Sequence, residues 1–238
     1  MFATVLAGAF RPVRSSSRKN NGPTPLAFWS APECGRRGFP LMIRLLPKLD
    51  IAPFAVGKWR APVAALLAVA TAIVRGSFEY QGQKCSAASR VYIPRSLWAP
   101  IKERLSDEVP QIKMGDVSDF SNFMGAVIDE RAFSKHSDAL EHAKSAADLE
   151  IVAGGKADDS EGYFVAPTIV KTEDPKSKLM RDELFGPIVT TFVYDDADYD
   201  RTLDLVDSTS PYGLTGAIFG RDEAAIVEAK ARLRVAAG

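Results

Sequence analysis

Cysteine and histidine are scarce, at two of each in 238 residues. So few cysteines exclude a disulfide scaffold, and a reducing compartment is the favoured reading. A Cys34–Cys85 disulfide stays open on sequence alone. His136 and His142 stand six apart in a predicted helix, which puts them on different faces and excludes a metal pair. No other cluster of Cys and His exists, so no metal is expected. Long apolar runs are lacking too. Ala61 to Val74 spans 14 residues and is broken only by Pro62 and Thr71. A membrane span needs about 20 residues, so a core helix is expected there and no membrane partner.

Acid is missing from one end. Residues 1–75 hold 11 Lys/Arg and 2 acidic residues, although the whole chain balances 30 against 30. Eight of the 15 prolines fall within the first 62 residues. From Met1 to Pro32 there is no Asp or Glu, while Arg11, Arg14, Arg18 and Lys19 accompany Ser15, Ser16 and Ser17. That is the composition of a mitochondrial transit peptide or of a disordered basic tail. Residues 1–60 are therefore expected to form an irregular Pro/Arg-rich leader, and 61–238 a separate domain. With zero net charge and no basic stripe in the second segment, no nucleic-acid partner is expected.

From residue 76 the pattern alternates strand and helix. Val91-Tyr92-Ile93 is strand-like, and Leu97, Ile101, Leu105 and Val109 follow at helical spacing up to Pro110. Asp129 is a plausible N-cap for a helix through Ala147, with Phe133, Leu140 and Ala143 as its inner stripe. Ile151-Val152-Ala153 reads as a strand ending at Gly154-Gly155. Tyr163-Phe164-Val165 and Thr168-Ile169-Val170 flank Pro167, which predicts a strand that is bent or at an edge. Ile188 to Tyr194 is nearly all apolar or β-branched, as in a strand buried on both faces of a parallel sheet. A helix over Asp198–Val206, a strand over Leu214–Phe219 and a helix over Ala224–Leu233 complete the series. Alternation of this kind predicts an α/β domain with helices covering a mostly parallel sheet.

Chemistry concentrates at Cys85. It lies in Phe78-Glu79-Tyr80-Gln81-Gly82-Gln83-Lys84-Cys85-Ser86-Ala87, among small and polar neighbours. The plainer reading of a lone cysteine is a small buried residue. Here Gly82 permits tight backbone geometry and close approach. Ser86, Ala87 and Ala88 leave room beside the sulfur, as a nucleophile needs. Glu79 and Lys84 read as solvated or structural. A second motif, Glu183-Leu184-Phe185-Gly186-Pro187, follows downstream.

Both motifs resemble those of the aldehyde dehydrogenase superfamily, over residues 74–238. The longer run around Cys85 is most similar to the branch that oxidises L-glutamate γ-semialdehyde, formed from Δ1-pyrroline-5-carboxylate, to L-glutamate in proline catabolism. The resemblance implies an aldehyde-dehydrogenase-like catalytic domain, NAD as cofactor and a small-molecule aldehyde as substrate. It implies Cys85 as the catalytic nucleophile, forming a thiohemiacetal and then a thioester. Ser86 would hold the substrate's far carboxylate. Glu183 would bind the nicotinamide ribose and Phe185 would pack beside the nicotinamide. The backbone N–H of Cys85 would be one oxyanion donor, with an upstream Asn as the other. No matching Asn segment is found, and the loss of one such donor costs about a hundredfold or more in rate.

The family's water-activating Glu has one local candidate, Glu33, in Glu33-Cys34-Gly35. It stands 52 residues before Cys85, farther than the family places it, and coincidence is the default reading. The family is homo-oligomeric and works in the mitochondrial matrix. Its substrate-anchoring Gly-rich loop and oligomerisation arm would follow the last residue here. The expectation is therefore a chain incomplete for activity by itself. Two rivals are a non-catalytic form that associates with full-length subunits, and a thiol hydrolase that works without cofactor.

Overall fold

A computed structural model describes residues 3–7, 60–211 and 213–233. The basic cluster of the transit-peptide reading (Arg11, Arg14, Arg18 and Lys19), Glu33 and Cys34 lie outside the described residues. Among the described residues there are eight strands: β1 (Ala3–Ala7), β2 (Ala88–Pro94), β3 (Leu149–Ala153), β4 (Ala157–Asp158), β5 (Phe164–Val165), β6 (Thr168–Thr172), β7 (Ile188–Tyr194) and β8 (Thr215–Phe219). The main sheet runs β3-β6-β7-β2-β1-β8, parallel throughout except for the β3–β6 pair. This is the α/β arrangement that the alternating pattern predicts.

Side-chain alternation assigns each strand to two layers. Val91 and Ile93 of β2 join Ile169 and Val189 in one apolar cluster. This is covered by α1 (Arg60–Phe78), through Val69, Ala70 and Ile73, and by α2 (Arg95–Glu108), through Ile101 and Leu105. Tyr92 points the other way, into a cluster with Tyr199, Leu203 and Val206 of α5 (Tyr199–Ser208) and Ala225 and Ala229 of α6 (Glu223–Arg232). The third helix, α3 (Glu130–Ser145), covers Val170 and Ile188 with Ala139, Leu140 and Ala143. Each fully buried large apolar side chain contributes roughly 1.5–3 kcal/mol, so these faces dominate the stability. Two buried phenols find partners: Tyr92 donates to Thr209 Oγ1 at 3.1 Å, and Tyr199 to the Ala225 carbonyl at 2.9 Å.

The Ala61–Val74 run lies in α1, and among the described residues no helix is long and apolar enough to cross a membrane. Asp129 caps α3 as its position predicts, accepting a hydrogen bond from Ala132 N at 2.8 Å. Two details differ from the sequence reading. Pro167 does more than bend a strand or put it at an edge. It splits the segment, so that β5 pairs with β4 in a small separate sheet while β6 lies inside the main one. The prolyl nitrogen cannot donate to a ladder, so the chain changes sheets there. The second difference is β1. The leader is read as irregular, yet Ala3–Ala7 inserts between β2 and β8, parallel to both.

Candidate active site

Parallel strands bring loops of the same kind to the same edge. The turn before β2 carries Cys85 and Ser86, and the loop before β7 carries Glu183 and Phe185. Because β2 and β7 are parallel neighbours, both connections emerge at the amino-terminal edge of the sheet.

The Cys85 segment is built on an unusual bend. After α1, a 3-10 turn spans Glu79–Gly82, with Tyr80, Gln81 and Gly82 all left-handed at φ 53°, 59° and 64°. Residues other than glycine are held there only at a cost of about 1–3 kcal/mol each, and such strain collects at functional loops. Surrounding bonds enforce it. Gln81 Nε2 donates to the Ala126 carbonyl at 3.0 Å, and Ile128 N donates to Gln83 Oε1 at 3.0 Å. Glu79 pairs with Arg75 at 2.5 Å and with Lys84 at 3.4 Å, and the Lys84 ammonium sits 5.4 Å from the Tyr80 ring centre. Glu79 and Lys84 thus serve the bend, in keeping with their structural reading. Beyond it a turn closes from Ala87 N to the Lys84 carbonyl at 3.0 Å, leaving Cys85 and Ser86 exposed and the Cys85 thiol free.

The second loop follows a short helix, α4 (Lys178–Arg181). Leu184 is buried and anchors it in the cluster beneath α3. Phe185 turns outward, 40% exposed with φ 55°. An exposed aromatic in a left-handed conformation satisfies neither burial nor backbone preference, which marks it as available to a ligand. Glu183 is half-buried beside it. Thr168 N donates to the Pro187 carbonyl at 2.8 Å, tying the loop's end to β6. Buried Arg90 of β2 donates to the Met180 carbonyl at 3.5 Å and supports α4 from below.

The two loops touch at their glycines. A Cβ built on Gly82 would lie 2.3 Å from the Gly186 carbonyl oxygen, so only glycine fits this close approach. The structure therefore places Cys85, Ser86, Glu183 and Phe185 on two loops in contact. Of the two histidines, His136 is buried and His142 exposed, as their spacing predicts. Among the described residues there is no group of three or more His, Cys, Asp or Glu that could hold a metal ion.

Three supporting residues were not evident from sequence. Gln81 and Gln83 stabilise the bend, and their amides gave no signal of it. His136 did leave one. It stands three residues after Phe133 and four before Leu140, on the inner stripe of α3. Burial holds its pKa below 6.5, and neighbouring Lys135 lowers it further, against hydrogen bonds to the Leu184 and Phe185 backbone that raise it. The unfolded chain therefore binds the proton more tightly. The stability that neutral His136 contributes is present above pH 6.5 and is lost as pH falls below it. Melting temperature should drop further between about pH 7.5 and about pH 5.5 in the wild-type chain than in His136→Gln. Equal drops would show that His136 is not the group titrating.

Comparison with known proteins gives the site its context. The aldehyde dehydrogenase family model matches residues 61–237. The chain is 54% identical over 171 residues to the mitochondrial delta-1-pyrroline-5-carboxylate dehydrogenase of Danio rerio, covering 71% of this chain and 31% of the relative. The Homo sapiens protein of the same name is 52% identical over 171 residues, covering 71% and 30%. The crystal structure of the Mycobacterium tuberculosis delta-pyrroline-5-carboxylate dehydrogenase bound with NAD superposes with a TM-score of 0.67 at 46% identity, covering 73% of this chain and 31% of that one. The chain thus spans about a third of the length of these relatives. With the family model matching well over half of its residues, the chain belongs to the aldehyde dehydrogenase family.

Proposed function

We propose that the chain carries the thiol and nicotinamide-facing part of a site that oxidises L-glutamate γ-semialdehyde to L-glutamate with NAD, in proline catabolism. The observation that carries this reading is the contact between the Cys85 turn and the Glu183–Phe185 loop through Gly82 and Gly186. The substrate assignment rests on relatives at about half identity that are named for Δ1-pyrroline-5-carboxylate, whose open form is this aldehyde. Relatives named mitochondrial, together with the acid-free basic start of the chain, support the matrix as its location. The family resemblance adds homo-oligomeric assembly.

The Cys85 thiolate attacks the aldehyde carbon, forming a C–S bond while the carbonyl oxygen becomes an alkoxide. The Cys85 backbone N–H donates to that oxygen. The exposed Ser86 hydroxyl donates to the substrate's distal carboxylate. The residues present fit the nicotinamide ribose end of NAD. The Glu183 carboxylate can accept from paired hydroxyls, and the exposed Phe185 ring offers an apolar face. Bound there, NAD supplies the hydride acceptor that lets the Cys85 adduct become a thioester. Water then adds to the thioester carbonyl, releasing the carboxylic acid and returning the proton to sulfur.

Two measurements on the 238-residue chain test the assignment. Titration with millimolar NAD should give binding heat, and bound NAD should slow alkylation of Cys85. Absence of both effects would sink the NAD reading.

A further inference from the structure

Helix α3 does more than cover the sheet. Its Lys135 donates to the Glu183 carbonyl, and His136 Nε2 stands 3.1 Å from the Leu184 carbonyl. A carbonyl only accepts, so Nε2 carries the proton. The Nε2 edge of the imidazole also crowds Gly186. A Cβ on Gly186 would fall 2.0 Å from His136 Nε2 and 2.3 Å from Cε1. Gly186 also meets Gly82, again closer than any Cβ allows. Imidazole, Gly186 and Gly82 thus form a stack of close contacts from α3 to the Cys85 turn. His136 is fully buried and its Nδ1 has no partner, so its polar contacts are to the Leu184–Phe185 backbone and the ring is otherwise packing.

We propose that His136 is a positioning residue. Its ring and its Nε2–H bond set the separation between the Glu183–Phe185 loop and the Cys85 turn by pressing Gly186 onto Gly82. The inference builds on the proposed site but concerns spacing alone, so it can be tested without NAD. A ring placed behind Gly186 has two effects. It keeps the loop from withdrawing into the space beneath α3, and it holds the Leu184 carbonyl while Phe185 adopts its left-handed conformation. The strain at Phe185 is then balanced by the hydrogen bond one residue earlier and by buried Leu184.

The test uses the full chain carrying Cys34→Ser, so that Cys85 is the single thiol. Modification by dithionitrobenzoate is followed for His136, His136→Gln and His136→Met, with circular dichroism confirming the fold. Gln places an amide donor near Nε2, whereas Met fills the volume without a donor. The expected result is a Cys85 rate raised roughly threefold or more in the Met variant and returned toward wild type in the Gln variant. Equal rates in all three would overturn the proposal, as would equal acceleration in both variants. A role in stability alone would lower the melting temperature without changing Cys85 reactivity in the folded state. Should the Met variant not fold, native-state amide exchange on the unsubstituted chain decides the same point. Residues 83–87, Ile188 and the 135–139 stretch of α3 open together if the stack couples them, and separately if it does not. An NAD-independent Cys85 rate together with no NAD binding heat in the wild-type chain would remove the proposed function and leave the His136 comparison intact.

Discussion

Replacing Gly82 by alanine is expected to destabilise the fold by on the order of 3 kcal/mol, a large part of a typical domain's 5–15 kcal/mol. Two effects add. The residue sits at φ 64°, where a Cβ is disfavoured, and that Cβ would lie 2.3 Å from the Gly186 oxygen and 2.7 Å from the Ser77 oxygen. All the opposing atoms are backbone, so nothing can rotate away. Gly155→Ala is the useful contrast. It has φ 83°, but its nearest neighbours are Ile151 side-chain carbons at 3.2 Å, which can shift. Urea unfolding of both variants should show the larger loss at Gly82. A Gly82 variant as stable as wild type would mean that the two loops are farther apart than described. Any Gly82→Ala protein that stays folded should also bind NAD more weakly, because relief of the overlap moves Gly186 and Phe185 with it.

Cys85→Ala should remove NAD-dependent aldehyde oxidation by at least about a thousandfold, since the proposed mechanism assigns the covalent step to Cys85. The comparison is best made in an assembly that turns over, or on thioester cleavage where it does not. Melting should stay close to wild type, because the side chain is exposed and packs nothing. Residual oxidation within tenfold of wild type would show that Cys85 is not the nucleophile. Thioester cleavage that persists without NAD and vanishes in Cys85→Ala would instead favour the hydrolase rival.

What could be read from sequence depended on how local each cause was. Ile188–Tyr194 is legible because a strand covered on both faces must be apolar throughout, and only Phe192 of the seven is less than buried. Asp129 is legible because a cap acts within three residues. Cys85, Ser86, Glu183 and Phe185 are legible as motifs, and the parallel pairing of β2 with β7 explains why two distant motifs share an edge. The left-handed Tyr80 and Gln81 were not, since neither residue prefers that conformation and contacts with residues 126–128 impose it. His136 was read only as an unlikely metal ligand, although its place on the inner stripe of α3 pointed to burial. Pro167 showed a break in the strand but not which sheet each half would join. The strand at Ala3–Ala7 was missed because its partners are far away in sequence, and five apolar or β-branched residues at the head of a basic, Pro-rich segment carry little signal.

That strand has a consequence for how the molecule assembles. Among the described residues β8 pairs with the main sheet through β1 alone, and Ala3 pairs with Thr215, far apart in the sequence. During synthesis β1 must wait for the much later β8 before that edge can close. Closing so long a loop is entropically costly and slow. The β3-β6-β7-β2 half should therefore form early, with β8 and α6 docking as a late, reversible step.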